Sequence, residues 1–517
     1  MDPSHDTDLN HTRAEVARAE GAQAEMHKRA HALISLGHRA MLEALRRTFL
    51  FTALLCVIVP GHGQIAAQDR APSLEAQLRS IVAASGLTDQ SGISVVNAAT
   101  GQALFAHRSR ELMNPASTMK LITAAAALTE LGADFRFETS VHGTIDSNGH
   151  VNRLFIRGRG DPSLRRRDLR ELARALLDSG VTRVGTVLID ASHFDNQFLP
   201  PAFEQQPNEV APFRASVAAL SIDRNAYGLR VVSGSAGAPI VVRAWPSRHF
   251  VINDALRIDA RARPVVVVLE QPDAGRISLR VGGHVQPNTR ATYRRRVSDP
   301  LGFAGHAFIE ALAEVAIEVT DPVPLRQTVP AESPTLAIHT SEPLAQILPA
   351  MGKWSDNFTA EMILKVLGAH RHEPGSSAGG VEALRDVLQR AGVTRAAPQI
   401  VNGSGLFNGN RIAPEHFTGL LSWTFRNTEV APEYLAHLSI AGVDGTLQRR
   451  LTDLPRPRMV RGKTGTLDDV IALSGYVLGR EPGNAIAFSI TLNGVHGRHA
   501  AARRLCDDVV RAIARSN

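Results

Sequence analysis

The sequence predicts a mixed α/β (α+β) fold with a separate strand-rich module in its middle. Three observations predict this organisation. Hairpin and helix patterns occupy residues 92–131, short β-like runs with turn residues between them fill residues 139–299, and helical followed by strand patterns return in residues 300–517. The chain has 517 residues, of which 44% are hydrophobic and 21% charged. This is the composition of a globular protein of several domains.

Residues 1–67 are predicted to be a leader that is not part of the folded domain. An apolar run at 49–59 follows Arg46-Arg47 and precedes the small residues Ala66-Ala67, which is the pattern of an export signal spanning residues 46–67. The run is shorter than the roughly 20 apolar residues that span a bilayer, so we expect no stable transmembrane span after cleavage. Met41 is the expected start of translation, and the periplasm or cell envelope is the expected location.

The first elements of the mature chain are a hairpin and a helix. Apolar runs at 93–96 and 103–106 flank turn residues at 97–101. Pro115 precedes an Ala-rich segment and Gly132 follows it, and these residues mark the two ends of a helix. We therefore expect a helix that begins near Ser117 and ends at Leu131.

The strand-rich module at 139–299 contains six short β-like runs, at 151–156, 186–189, 229–232, 239–242, 265–269 and 276–281. Beyond it, helical periodicity predicts helices at 307–319 and 381–391. Two strands at 469–478 and 485–492, joined by a turn, and a final helix at 500–514 complete the chain.

The charge composition is more informative than the net charge. The formal net charge of +7 fits an anionic partner, but the arginine runs at 165–167 and 294–296 are short and only Tyr293 adjoins them, so no nucleic acid is expected. Only five of the 57 basic residues are lysines: Lys28, Lys120, Lys353, Lys365 and Lys463. A desolvated lysine can lose its proton and act as a base, whereas arginine cannot.

Three short motifs carry the chemistry: Ser117-Thr118-Met119-Lys120, Ser355-Asp356-Asn357 and Lys463-Thr464-Gly465. Together they form the signature of penicillin-binding proteins and class A β-lactamases. Roughly 0.3 matches to the first motif are expected by chance, but all three together fall well below one in a thousand. Chance is a poor explanation of the set.

The spacing of the first motif suits nucleophilic catalysis. Residues i and i+3 of a helix share a face, so the Lys120 amine can reach the Ser117 hydroxyl. A serine hydroxyl needs an adjacent base. Lys120 is that base if its amine is neutral, and burial together with the charge of Lys463 lowers its pKa.

The other two motifs supply supporting groups. Ser355 can relay protons and the Asn357 amide can hold Lys120 or a substrate carbonyl. Residues 463–466 are predicted to form a strand at the other wall of a cleft, where Thr464 and Thr466 can bind a substrate carboxylate. The backbone N–H groups of Ser117 and Thr466 can form an oxyanion hole.

With these residues in place, the chain resembles the low-molecular-mass class C penicillin-binding proteins, the D-alanyl-D-alanine carboxypeptidase/endopeptidase family. Further blocks resemble the family in the same order: Gly160-Asp161-Pro162-Ser163-Leu164, Asn402-Gly403-Ser404-Gly405-Leu406 and Ala441-Gly442-Val443-Asp444-Gly445-Thr446-Leu447. The sequence departs from the family at Asn402, where Asp is usual, and at Phe407, where a small polar residue is usual. These departures concern the region around Ser404 and not the acylating residues.

The resemblance implies a penicilloyl-serine transferase fold, with an antiparallel sheet flanked by helices and an all-α subdomain, interrupted by inserted domains. Residues 68–138 and 300–517 would then be two parts of one transpeptidase-like domain around an insertion at 139–299. It also implies hydrolysis of D-Ala-D-Ala bonds or D-Ala cross-links in peptidoglycan stem peptides through an acyl-enzyme on Ser117, with β-lactam antibiotics as covalent inhibitors.

Two alternatives are weaker. A serine β-lactamase is disfavoured because Ser-Asp-Asn replaces Tyr-x-Asn and because compact β-lactamases have no such insertion. A non-catalytic wall-binding or β-lactam-sensing protein is disfavoured because Ser117, Lys120, Ser355, Asn357 and Lys463 are all present.

The remaining candidates are less specific. Asp161 could contact substrate, although an Asp before Pro is more often a turn residue. The histidines, His339 among them, show no metal-ligand spacing, so neither a metal site nor a cofactor is predicted. After removal of the leader, which contains Cys56, Cys506 would be the only cysteine, so no intramolecular disulfide is expected.

Overall fold

The computed structural model describes residues 72–393 and 397–517. The predicted leader, with Cys56 and Met41, lies outside this part of the chain. Cys506 is buried in the last helix. None of the helices in the two described ranges combines the length and the apolar character needed to cross a bilayer.

A six-stranded antiparallel sheet, the central sheet, is built from both ends of the described chain. Its strands, in spatial order, are Ser439–Ile440, Val460–Leu467, Val470–Val477, Ile486–Asn493, Ser91–Asn97 and Ala103–His107. The helices Leu74–Ala84 and His499–Ser516 share an apolar core with the sheet. The predicted hairpin and the last two strands are therefore present, within two residues of the expected bounds.

A group of helices forms a second core. Its helices are Lys120–Glu130, Leu344–Gly352, Asn357–Arg371, Ser377–Arg390 and Pro414–Arg426, with the short helix Ala431–Ala436 beside them. The side chains of Leu121, Ile363 and Leu384 are fully buried where these helices meet. The antiparallel sheet and this all-α part are the two halves of the fold that the family resemblance implies.

The strand-rich module contains three sheets. The first, the module sheet, has the strand order Glu318–Val319, Arg183–Asp190, His150–Gly158, Glu138–His142 and Thr335–Thr340, and Leu325–Arg326 also pairs with Arg183–Asp190. Two three-stranded sheets comprise Phe250–Ile258, Arg276–Val285 and Val265–Asp273, and Arg290–Arg296, Ala226–Ser233 and Ile240–Arg243. The helices Arg166–Asp178 and Pro300–Glu314 share their apolar core.

The predicted end of the module at residue 299 differs from the structure. The helix Pro300–Glu314 buries Phe303, Phe308 and Leu312 in the core of the module, and the strand Thr335–Thr340 pairs with Glu138–His142. These contacts extend the module to Thr340.

The helix predicted at 307–319 also begins earlier than expected. The Asp299 side chain accepts a hydrogen bond from the backbone N–H of Gly302 at 3.2 Å, and Pro300 occupies the first turn. This cap and proline fix the start of the helix.

Candidate active site

Ser117 lies at the start of the helix that follows the first hairpin. A short 3-10 turn, Ala116–Met119, leads directly into the helix Lys120–Glu130. Ala116 has a left-handed backbone with φ of 46°, and Ser117 is the partly exposed residue of an otherwise buried turn. Strained backbone of this kind persists only where the surrounding structure holds it in place, and such positions are concentrated at functional sites.

Lys120 is completely buried behind Ser117. Its Nζ lies 3.0 Å from Ser117 Oγ, 2.7 Å from Asn357 Oδ1 and 2.6 Å from the carbonyl oxygen of Ser404. The structure therefore brings the predicted nucleophile and the predicted base within the distance of a proton transfer.

The environment of Lys120 brings the pKa of its amine close to physiological pH. Burial lowers the pKa of Lys120 from 10.5 to about 7, and the carboxylates of Glu361 and Asp356 act in the opposite direction. Glu361 is itself buried and accepts hydrogen bonds from the backbone N–H groups of Gly403 and Ser404. A substantial fraction of Lys120 is therefore neutral at physiological pH.

Lys463 and Ser355 form a second pair at the site. Lys463 is fully buried, and its Nζ donates to Ser355 Oγ at 2.8 Å and to the carbonyl oxygen of Thr464 at 2.7 Å. Burial and repulsion from Lys120 hold the pKa of Lys463 well below its ordinary value. Ser355 has φ of 61°, a left-handed conformation that aims its hydroxyl at this amine.

Asn357 links the site to the inserted module. Its Oδ1 accepts from Lys120, while its Nδ2 donates to the carbonyl oxygen of Phe213 at 3.0 Å. The Asp356 side chain caps the helix Asn357–Arg371 by accepting from the N–H of Thr359 at 2.8 Å. Both ends of the Asn357 amide are thus fixed, so its oxygen faces Lys120.

The strand Val460–Leu467 forms a wall beside the serine turn, as predicted for residues 463–466. A Cβ atom at Gly465 would lie 2.9 Å from the carbonyl oxygen of Pro115, so a glycine is needed for this close approach. Thr464 Oγ1 donates to Thr446 Oγ1 at 2.8 Å, and Thr466 is exposed at the cleft. Two threonines and one lysine therefore share one edge of the site.

The cleft in front of Ser117 has a volume of about 650 Å³. It is lined by Ser117, Ser355, Asn357 and Thr466, and also by Gln205, Gln206, Phe213, Phe407, Asn408 and Arg411. Three of these, Gln205, Gln206 and Phe213, belong to the inserted module and were not predicted from the sequence. No local motif marks them, because they reach the cleft only through the packing of the module.

Asp161 is not brought to this cleft. Its Oδ1 accepts hydrogen bonds from the backbone N–H and the hydroxyl of Ser163, which is the turn that an Asp before Pro commonly forms. Asp161 does not line the cleft in front of Ser117. The predicted contact of Asp161 with substrate has no support from this geometry.

The two departures from the family pattern have different consequences. Asn402 is fully buried, accepts from the N–H of Gly405 at 2.9 Å and donates to the carbonyl oxygens of Pro201 and Leu406 at 3.0 and 3.1 Å. Phe407 lines the cleft, and its ring lies edge-on to Phe203 with a centroid distance of 5.6 Å. Asn402 therefore supports the loop, whereas Phe407 shapes the cleft.

Comparison with known proteins gives a family match over most of the described chain. A family model described as the D-Ala-D-Ala carboxypeptidase 3 (S13) family matches residues 74–515. A D-alanyl-D-alanine carboxypeptidase from an Actinomadura species is 34% identical over 426 residues, covering 79% of this chain and 78% of the relative. The D-alanyl-D-alanine carboxypeptidase DacB of Haemophilus influenzae is 27% identical over 422 residues, covering 78% of this chain and 85% of the relative.

The solved structures give the same result for the fold. Penicillin-binding protein 4 from Haemophilus influenzae superposes with a TM-score of 0.68 at 25% identity, covering 81% of this chain and 93% of that one. A second structure of that protein, complexed with a β-lactam, has the same TM-score and covers 83% of this chain and 99% of that one. The expected fold and the expected family are both confirmed.

Proposed function

The chain belongs to the D-Ala-D-Ala carboxypeptidase 3 (S13) family, and from this premise we propose that it hydrolyses D-Ala-D-Ala peptides through an acyl-enzyme on Ser117. The activity class is that of a serine-type D-alanyl-D-alanine carboxypeptidase. The observation that carries the assignment of residues is the buried Lys120 amine, 3.0 Å from Ser117 Oγ and with a pKa of about 7.

Acylation begins with attack of Ser117 Oγ on the carbonyl carbon of the penultimate D-Ala. The hydroxyl proton passes to the neutral Nζ of Lys120 as the new C–O bond forms. The negative charge that develops on the carbonyl oxygen is stabilised by the backbone N–H groups of Ser117 and Thr466.

Collapse of the tetrahedral intermediate breaks the peptide C–N bond and leaves the acyl ester on Ser117. The departing amine takes a proton from Ser355, whose hydroxyl is hydrogen-bonded to Lys463 and is reprotonated through it. Water then attacks the ester, and the proton that it loses replaces the one that Lys463 supplied. The proton held by Lys120 returns to Ser117 Oγ as the ester C–O bond breaks, so one water is consumed for each bond cleaved. Asn357 keeps Lys120 in position through both half-reactions.

The cleft beside Ser117 suits a stem peptide that ends in a carboxylate. Thr464 and Thr466 supply hydroxyl groups for that carboxylate, next to the buried amine of Lys463. Phe213 and Phe407, which also line the cleft, supply apolar surface for the rest of the peptide. A β-lactam would acylate Ser117 in the same way and hydrolyse slowly.

We also propose that the protein acts in the periplasm or cell envelope. The export-signal pattern of residues 46–67 and the peptidoglycan origin of D-Ala-D-Ala peptides support this location.

Labelling with a fluorescent penicillin tests the assignment of the nucleophile. The labelled peptide is mapped by mass spectrometry in the wild-type protein and in Ser117→Ala. We expect one label, on Ser117, and none in the variant. Label on another residue, or undiminished label in Ser117→Ala, would refute the mechanism.

The choice between terminal and cross-link cleavage needs defined muropeptides. Monomeric pentapeptide and cross-linked dimer are digested separately, and the products are separated by chromatography. Release of D-Ala from the monomer shows carboxypeptidase activity, and conversion of dimer to monomer shows endopeptidase activity. Fast turnover of a chromogenic cephalosporin with neither product would instead support a β-lactamase.

A further inference from the structure

A second pocket, of about 550 Å³, lies between the inserted module and the helices near Ser355. Its walls come from the helix Arg166–Asp178 and the strand Thr335–Thr340 of the module, and from Ala350 and Thr359 on the helical side. None of the residues proposed to take part in acylation lines it. It is therefore separate from the cleft in front of Ser117.

Three potential metal ligands meet at this pocket: Asp168, Glu171 and His339. One carboxylate oxygen from each acid and one ring nitrogen of His339 all lie within 4.8 Å of one another. Asp168 and Glu171 are three residues apart on one helix, so their side chains share a face. His339 projects from the adjoining strand, which places all three ligands on regular elements and not on loops.

Asp161 is a second observation that points to a cation at this pocket, because one of its carboxylate oxygens is buried without a hydrogen-bond donor. Its carboxylate is 2% exposed, and its Oδ2 has no hydrogen-bond donor. That oxygen faces the cluster, 3.7 Å from Nε2 of His339. A buried carboxylate oxygen without a donor is costly unless a nearby cation compensates it.

Three arginines also line the pocket, Arg165, Arg167 and Arg224, and each of them has a partner of its own. Asp168 accepts from the backbone N–H of Arg165 and from Nε of Arg167, at 2.7 and 3.0 Å. The guanidinium of Arg224 lies 3.4 Å from the carboxylate of Asp356. Each carboxylate oxygen has two lone pairs, so Asp168 can accept these bonds and still bind a metal.

We infer that Asp168, Glu171 and His339 form a divalent metal site of the Zn²⁺ type, with Asp161 as the buried carboxylate that orients His339. One imidazole and two carboxylates are a donor set that Zn²⁺ accepts, with water completing a tetrahedron. A carboxylate behind a ligating histidine is a common supporting group. The site could not be predicted from the sequence, because His339 lies 168 positions beyond Glu171 and shares no motif with the two acids.

The test titrates Zn²⁺ into the metal-free full-length protein by isothermal calorimetry and measures bound zinc by mass spectrometry. We expect one equivalent to bind. Glu171→Gln and His339→Ala should each weaken binding at least tenfold. Asp161→Asn should weaken it by about 10- to 100-fold, although its Oδ1 can still accept from Ser163. Anomalous scattering at the zinc edge should place the ion between Asp168 and His339.

Glu342→Gln is the matched control, because Glu342 lines the same pocket but is outside the ligand group; its zinc affinity should change less than twofold. Glu171 is exposed, so its variant should fold normally. Absence of a stoichiometric zinc ion, or unchanged affinity in both Glu171→Gln and His339→Ala, would overturn the inference. Ser117→Ala should bind zinc as the wild type does, so failure of the acylation mechanism is distinguishable from failure of this site.

Discussion

Three of the four lysines in the described chain are buried against specific polar partners. Lys120, Lys365 and Lys463 are all fully buried, and Lys353 is ion-paired with Asp444. The chain otherwise uses arginine, which stays protonated at any accessible pH. Two of the buried lysines meet at Ser117 and Ser355, where a removable proton is needed for catalysis.

The pKa of Lys120 predicts the pH dependence of acylation. The amine must be neutral to take the proton of Ser117, and with a pKa of about 7 it is mostly protonated in acid. The acylation rate constant should therefore rise with pH and level off above about pH 7, and it should fall about tenfold for each pH unit below that. Stopped-flow measurement with a fluorescent penicillin gives this profile.

Lys120→Arg tests whether residue 120 must act as a base or need only carry a positive charge. Arginine keeps the positive charge but cannot deprotonate, so the rate constant should fall by about 10²- to 10⁴-fold at every pH. Lys353→Arg, which can keep its ion pair with Asp444, is the matched control and should acylate within about threefold of wild type. A Lys120→Arg variant that acylates at a near-normal rate would exclude Lys120 as the base.

Asn402 shows why the family's usual aspartate does not suit this loop. Its amide nitrogen donates to two carbonyl oxygens, those of Pro201 and Leu406, and a carboxylate cannot donate to either. Asn402→Asp should lower the free energy of unfolding by about 1–3 kcal/mol, because two acceptors would face a buried charge. Urea denaturation at neutral pH measures this change.

Asn427→Asp is the control for that substitution. Asn427 Oδ1 accepts from the backbone N–H of Glu429 at 3.1 Å, a contact that aspartate can keep, so its effect should stay within about 0.5 kcal/mol. Equal losses in the two variants would contradict the role given to the Asn402 amide.

At the scale of elements, the serine turn depends on a second loop that passes very close to it. Gly405 has φ of 74°, and a Cβ atom there would lie 1.8 Å from the carbonyl oxygen of Ala116. The neighbouring carbonyl of Ser404 accepts from Lys120. The loop after Asn402 therefore fixes the turn before Ser117 and the amine behind it at the same time.

Gly405→Ala should consequently impair both stability and acylation. The left-handed backbone alone costs about 1–2 kcal/mol for a residue with a Cβ, and the clash with Ala116 adds to this. We expect a lower urea midpoint and a penicillin acylation rate reduced more than tenfold. Gly419→Ala is the control, since its Cβ would meet nothing closer than 3.7 Å. A normal acylation rate in Gly405→Ala would show that the turn does not depend on this contact.

The elements that the sequence predicted best are those with a local signal. The helix after Ser117 is marked by Pro115 and Gly132, and the hairpin at Ser91–Asn97 by its apolar runs and turn residues. By contrast, the helix Asn357–Arg371 was not predicted, because residues 357–369 are all buried and no polar face creates a helical period. The helix Arg166–Asp178 is amphipathic, but it was not predicted because the β-like runs on both sides favoured a strand-rich interpretation of the region.

The same limit applies to the site. Ser117, Lys120, Ser355, Asn357 and Lys463 could be predicted because short motifs carry them, and the structure brings all five together. The cleft residues Gln205, Gln206 and Phe213 could not, because only the packing of the module places them there.

At the scale of the whole molecule, the inserted module is joined to the helical part by buried contacts. Phe194 and Val217, which lie within the insertion, are part of the helical core. Lys365, on the helix that begins at Asn357, forms an ion pair with Asp195 and donates to the carbonyl oxygen of Gln197 at 2.7 Å. The module and the catalytic residues are therefore expected to unfold together.

Lys365→Met tests this coupling. The substitution preserves apolar bulk but leaves Asp195 and the Gln197 carbonyl without their donor, so the free energy of unfolding should fall by about 3 kcal/mol. Lys353→Met, which breaks a partly exposed pair, should cost only about 1 kcal/mol. If this contact couples the module to the catalytic residues, Lys365→Met should show a single urea transition at a lower urea concentration. Tryptophan fluorescence and loss of penicillin labelling at Ser117 should then report the same midpoint. Two separate transitions, with labelling lost at the wild-type midpoint, would show instead that the module unfolds independently of the site.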